Sequence, residues 1–74
     1  METNDMIRNE EIKGKLEFYN SNSISVHITL HSKTWFNGLI VSIDQEKVII
    51  NEEKLGLHPI YFNEIKDVVK RLRE

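Results

Sequence analysis

The amino-acid sequence predicts a mainly β protein: a small, strongly bent antiparallel barrel of five strands preceded by one short helix. Three observations lead to this prediction. The segment 24–30 alternates strictly between apolar and polar residues, which is typical of a half-buried strand. The apolar segment 35–43 has a glycine in its interior, which marks a bend or a close backbone approach. The chain has 74 residues and no cysteine, so we expect one domain without disulfides.

The first quarter of the chain predicts one amphipathic helix over 6–19, after a polar and flexible N-terminus at 1–5. Apolar residues recur at roughly helical spacing, with Ile12, Leu16 and Tyr19 among charged residues. Gly14 weakens this prediction, because a glycine inside a helix costs about 1 kcal/mol relative to alanine. The run Asn20 to Ser23 then predicts a turn.

The strands are predicted in order along the rest of a single domain that ends at residue 69. After 24–30 and 35–43, a polar turn at 44–47 separates the second strand from a short third strand at 48–50. Pro59 is expected only at the start of a strand, so the fourth is predicted at 59–62. A charged tail follows at 70–74.

Residues 63–72 permit two interpretations. Asn63 followed by Ile65, Val68, Val69 and Leu72 fits an N-capped amphipathic helix, which periodicity alone favours. The same residues fit a turn followed by a fifth strand at 65–69. A five-stranded barrel requires that strand, since the sheet would otherwise keep an open edge.

Composition excludes several classes of function. The net charge is −2, so the chain is not a broadly basic nucleic-acid binder, and any RNA affinity must come from a local patch. No apolar run is long enough to cross a bilayer, and we expect a cytoplasmic protein that meets no membrane. A domain this small often needs a partner subunit for stability, so we expect a homo-oligomer.

No arrangement of residues predicts an enzyme, a cofactor or a metal site. Nothing places a nucleophile beside a base, and no glycine-rich phosphate loop is present. His27 and His31 are separated by about 13 Å along an extended strand, which is too far to hold one ion.

The order and spacing of several short runs resemble the bacterial Sm-like RNA chaperone family Hfq. These runs are V-H-I-T-L, F-N-G-L-I-V-S-I-D-Q, V-I-I-N and H-P-I-Y-F-N-E-I-K-D-V-V, within residues 6–69. The resemblance implies an Sm-like (SH3-type) barrel and a ring, usually a hexamer, whose subunits join through edge strands. Here 48–50 and 60–62 would carry that pairing. It also implies binding of uridine-rich RNA near the pore and adenine-rich RNA on the opposite face. Through that binding, family members pair small RNAs with messenger RNAs in post-transcriptional regulation.

The resemblance transfers RNA-binding roles to this chain only in part. The pore motif tyrosine-lysine-histidine falls on Tyr61-Phe62-Asn63, and the aromatic residue that stacks uracil is replaced by Glu46. The candidates for RNA contact by resemblance are Tyr61, Asn63, Lys13, Gln45, Asp44, Trp35, Lys33 and Thr29. We therefore expect altered or weakened binding. The alternative is an Sm-like structural or protein-interaction module that no longer binds RNA.

Three of these expectations have competing interpretations. Trp35 either stacks a base or packs against the helix or a neighbouring subunit, and large aromatic residues are mostly buried. Asp44 is expected mainly to accept hydrogen bonds from turn amides. The C-terminal cations either contact phosphates or form a solvated face with the acids between them; they are Lys66, Lys70, Arg71 and Arg73.

Overall fold

The computed structural model describes residues 2–72, with side chains from residue 8 onward. Helix α1 spans Glu2–Ser21, which extends the predicted 6–19 at both ends. Ile12 and Leu16 are buried against the sheet, and Tyr19 packs beside them. Met1 lies outside the described residues, and the flexibility of 1–5 stays a prediction. No helix in residues 2–72 is both long and apolar enough to cross a membrane.

Five antiparallel strands follow α1, and the predicted fold class is confirmed. They are β1 Val26–Leu30, β2 Trp35–Ile43, β3 Lys47–Glu52, β4 Gly56–Tyr61 and β5 Ile65–Lys70. A single turn of 3-10 helix, Phe62–Glu64, links β4 to β5. The order across the sheet is β4-β3-β2-β1-β5, so β4 and β5 are the two edge strands.

The edge position of β4 corrects two expectations. The fourth strand begins at Gly56, three residues before the predicted start, and contains Pro59 in its interior. Proline has no N–H group to donate to a neighbouring strand. It is tolerated in an edge strand because its nitrogen can face the side that has no partner. Residues 48–50 cannot pair with another subunit, because β3 already lies between β2 and β4.

The strand interpretation of residues 65–69 is correct, and the helical periodicity was misleading. The register between β1 and β5 shifts so that Leu30 faces Ile65 while Thr29 faces Asp67, which leaves Lys66 as an extra residue. A bulge of this kind changes which side chains face inward. Ile65 and Val68 are therefore both buried at a spacing of three, which resembles the spacing of a helix. Lys70 belongs to β5 and not to the tail, and residues 73–74 lie outside the described part.

One apolar core lies between α1 and the concave side of the sheet. Every strand contributes to it, as does the 3-10 turn through Phe62. The buried residues are Ile12, Leu16, Val26, Ile28, Ile40, Val48, Ile50, Ile60, Phe62, Ile65 and Val68. The guanidinium of Arg8 also donates to the carbonyl oxygens of Ile65 and Lys66, which fastens α1 to the bulge in β5.

Candidate nucleic-acid interface

A groove runs between α1 and the β2–β3 turn. One part has a volume of about 380 Å³ and is lined by Asn9, Glu10, Lys13, Gln45 and Phe62. A second part of about 220 Å³ shares Asn9, Gln45 and Phe62 with the first and is also lined by Glu46, Tyr61 and Asn63. We call these two parts together the α1 groove. It brings together four of the RNA-contact candidates: Lys13, Gln45, Tyr61 and Asn63.

The β2–β3 turn that presents Gln45 and Glu46 to the groove is built around Asp44. One carboxylate oxygen of Asp44 accepts hydrogen bonds from the main-chain N–H groups of Glu46 and Lys47, at 2.7 and 2.8 Å. The other oxygen lies 3.0 Å from the Lys47 ammonium. The N–H donor of Glu46, and then the side chain of Lys47, lower the pKa of Asp44 to about 2. These are the hydrogen bonds to turn amides that were expected of Asp44. Asp44 itself is not among the residues that line the groove.

Tyr61 lies at the rim of the α1 groove and is half exposed. The Lys47 ammonium lies 5.8 Å from the centre of its ring. Two hydrogen bonds hold the main chain at Tyr61 and Phe62. The N–H of Tyr61 donates to the Glu64 carboxylate, and the N–H of Phe62 donates to the carbonyl oxygen of Glu46. Phe62 itself is buried in the core. The position that carries a pore lysine in the resembled family therefore serves packing in this chain.

The α1 groove is not a basic surface. Glu10 and Glu46 line it with Lys13 as the one lining cation among the described residues. Two nearby cations are engaged elsewhere: Lys47 is paired with Asp44, and Arg8 is bound to carbonyl oxygens of β5. The side chains that line the groove in the described part therefore carry two negative charges and one positive charge, which is little attraction for a phosphate.

Sequence reasoning missed Asn9 and Glu10 as groove residues. Asn9 lies four residues before Lys13, so both occupy one face of α1. That spacing was available in the sequence and could have identified Asn9. Glu10 lies three residues before Lys13 and shares that face as well, but where the β2–β3 turn meets the helix could not be read from the spacing.

Trp35 lies in a separate hollow at the other end of β2. The hollow has a volume of about 290 Å³ and is lined by Trp35, Phe36, Asn37, Glu52, Glu53, Lys54, Leu55 and Arg71. Trp35 is 52% exposed, and none of the α1 side chains that the structure describes lines the hollow with it. Packing of Trp35 against a neighbouring subunit stays a prediction. Its ring lies 5.5 Å from the ring of His27, whose Nδ1 is 2.6 Å from the side-chain oxygen of Asn37.

The other two candidates on this side do not line the hollow. Thr29 pairs with Trp35 across β1 and β2. Lys33 lies in the turn between these strands with a φ of 76°, a conformation that usually favours glycine. The structure therefore brings Trp35 together with acidic residues and Arg71, but it does not gather Thr29 and Lys33 there.

The C-terminal cations do not form one cluster. Arg71 is paired with Glu53 at 3.3 Å in the Trp35 hollow. Lys66 lies instead beside α1, next to Lys15, which pairs with Asp67 at 3.5 Å. Lys70 is exposed at the end of β5, and Arg73 lies outside the described residues. A shared phosphate track through all four is not what the described part shows.

The fold was compared with known proteins. No family model matches the chain, and no curated protein matches it. Among 21 chains of solved structures that match, one is a 1.55 Å crystal structure of the pleiotropic translational regulator Hfq. The sequences are 24% identical, the TM-score is 0.67, and the alignment covers 74% of this chain and 90% of that one.

This similarity concerns architecture, because an identity this low shows the fold alone. The helix followed by five bent antiparallel strands is what the two proteins share. The resemblance seen in the sequence is thereby confirmed at the level of the fold. The chain has the Sm-like fold of Hfq.

Proposed function

We propose that this protein binds single-stranded RNA as a homo-oligomeric ring in the cytoplasm and acts in post-transcriptional regulation. In this role it pairs small RNAs with messenger RNAs through binding sites that are altered or weakened relative to the resembled family. It is a binding protein and not an enzyme. A hexamer is the favoured ring.

The observation that carries the proposal is the composition of the α1 groove. Lys13, Gln45 and the pair Tyr61 and Asn63 come from three distant segments, yet they line the two adjoining parts of this groove. All four are positions to which the family resemblance assigns RNA contact. An exposed aromatic ring beside amide side chains offers both stacking and hydrogen bonding to a base.

The two edge strands support the ring. Within residues 2–72, β4 and β5 are each paired on one side only. Because β4 and β5 are different edges of one sheet, β4 of one subunit can pair with β5 of the next in a head-to-tail contact. Such contacts close into a ring when the rotation between neighbouring subunits divides a full turn evenly. Leu57 and Tyr61 on β4 and Val69 on β5 are exposed apolar residues on these strands. Pairing across subunits would satisfy their open edges.

The charges of the groove favour the second candidate, an Sm-like module that binds protein or only itself. Glu10 and Glu46 would repel phosphates, and the net charge of the chain is −2. Such a module would keep the ring and lose the RNA. The two functions therefore differ in RNA binding and not in assembly.

A fluorescence-anisotropy titration with uridine-rich and adenine-rich oligonucleotides at low salt tests the proposal. We expect a dissociation constant below tens of micromolar, because stacking on an aromatic side chain contributes about 1–3 kcal/mol per base. Tyr61→Ala should weaken binding if the α1 groove is used, and Trp35→Ala should weaken it if the Trp35 hollow is used. Absence of binding by both oligonucleotides would reject RNA binding and leave the interaction module.

A further inference from the structure

We propose that the α1 groove selects bases that carry an exocyclic amino group, such as cytosine, over uracil, and that Glu46 determines this choice. The inference rests on the proposed RNA-binding function and deepens it. It differs from the uridine preference that the family resemblance implies. The reason is that a carboxylate such as that of Glu46 can accept hydrogen bonds but cannot donate them.

The main chain of Glu46 is held in place at the groove. Its main-chain N–H donates to Asp44 at 2.7 Å, and its carbonyl oxygen accepts from Phe62 N–H at 2.9 Å. Both ends of the residue are therefore fixed between the turn and the 3-10 segment. The side chain is exposed and lines the groove beside Gln45 and Asn63. Within the described residues its carboxylate makes no hydrogen bond or ion pair, although its charge acts on Lys47.

Most of the polar groups in the groove cannot distinguish cytosine from uracil. The amides of Asn9, Gln45 and Asn63 each offer both a donor and an acceptor. The ammonium of Lys13 only donates and could favour O4 of uracil, but it lines the part of the groove that Glu46 does not, where the O2 acceptor shared by both pyrimidines can serve it. These groups contribute affinity for either base.

An ionised carboxylate only accepts, so it does distinguish the two bases. Cytosine presents an amino group at C4, which is an established partner of glutamate and aspartate in base recognition. Uracil presents a carbonyl oxygen at C4, and its one ring N–H lies between two carbonyl oxygens that repel the carboxylate. Glu46 therefore favours the amino-bearing edge and opposes the uracil edge.

The weak cationic character of the groove strengthens this effect. A groove lined by Glu10, Glu46 and Lys13 gains little from phosphates. Base contacts then carry a larger share of the binding, and a mismatched edge is less easily tolerated. Glu10 is also a carboxylate, but it lines only the other part of the groove; beside Tyr61 and Asn63, Glu46 is the one acceptor-only side chain among the described residues.

The test compares fluorescein-labelled hexanucleotides of cytidine and of uridine in anisotropy titrations of the full chain. These probes share the same backbone and differ only at the edge of the base. We expect the cytidine probe to bind at least about fivefold more tightly. In Glu46→Gln, whose amide can accept and donate, we expect the ratio to fall close to one because uridine binding improves.

Glu17→Gln is the matched control, since it removes the same charge from an exposed residue of α1 that does not line the groove. It should change both affinities alike and preserve the ratio. Equal binding of the two probes, a uridine preference, or a cytidine preference that survives Glu46→Gln would overturn this inference alone. Failure of both probes to bind would reject the proposed RNA binding and this inference with it.

Discussion

Gly38 in β2 lies directly against the backbone of Asn51 in β3. A Cβ atom on Gly38 would be 2.2 Å from the carbonyl oxygen of Asn51, and 2.8 Å from the carbonyl carbon. Real Cβ atoms essentially never come this close to another atom. The atoms that the Cβ would meet belong to the main chain of Asn51, which cannot rotate away as a side chain could. The glycine in the middle of the long strand therefore permits two strands to approach at the bend.

Gly38→Ala is expected to lower the free energy of unfolding by about 1–3 kcal/mol, because β2 and β3 must separate to admit a methyl group. Urea denaturation followed by circular dichroism measures this. Gly14→Ala is the matched control: nothing lies within 4 Å of its added Cβ, and it should raise stability by about 1 kcal/mol through helix propensity. Equal effects at the two glycines would contradict the close approach.

Asp44→Asn should lower stability at neutral pH, because it removes the charge that holds the turn N–H groups and Lys47. Folding lowers the pKa of Asp44 from 3.8 to about 2. The stabilisation by the ionised carboxylate is therefore complete above the unfolded value and is lost as the pH falls towards 2. Urea titrations between pH 7 and pH 2 should show the difference between wild type and variant shrinking below pH 4. A difference that stays constant over this range would contradict the charge effect.

Glu52→Gln should destabilise the protein more than Glu53→Gln. The two carboxylate oxygens of Glu52 accept from the N–H groups of Asn37, Lys54 and Leu55, at 2.8 to 3.0 Å. These donors, with Asn37 first, lower the pKa of Glu52. A glutamine has only one oxygen, so its amide nitrogen must face at least one of these donors. Thermal unfolding of the two variants at one protein concentration compares them.

Val69→Glu should weaken assembly if β5 pairs with another subunit. Val69 is exposed on this edge strand, so a single chain tolerates a charge there, whereas a paired edge does not. Light scattering after size exclusion should show a wild-type ring and a smaller variant species. Val41→Glu is the control, because Val41 is similarly exposed on β2, which is flanked by other strands. A monomeric wild type at high concentration would reject the ring.

Much of the fold follows from local patterns in the sequence. In β1, apolar and polar residues alternate because successive side chains of a strand face opposite sides of the sheet. In β2, a long run of apolar residues marks the strand. The interior Gly38 and the strand-ending Asp44 act through their own backbone conformation and nearby amides. Such features can be recognised one segment at a time, and the structure has them as expected.

The C-terminal strand could not be decided in this way. The bulge at Lys66 places Ile65 and Val68 on the same side, so β5 has the spacing of a helix. Only the pairing with β1 and the burial of both residues in the common core select the strand. The edge position of β4 could not be predicted from one segment either, because it depends on the order of strands across the whole sheet.

The sequence by itself determined the helix and the order of the strands along the chain, since their short-range periodicity can be recognised one segment at a time. Its resemblance to Hfq implied the Sm-like barrel and named Lys13, Gln45, Tyr61 and Asn63 as candidates for RNA contact. The tertiary structure alone decided that these four share a groove, that Glu10 and Glu46 lie in it, and that Trp35 is exposed in a hollow elsewhere. The physical reason is that a groove forms between elements distant along the chain. Its charge depends on how α1 packs against the β2–β3 turn, which no single segment specifies.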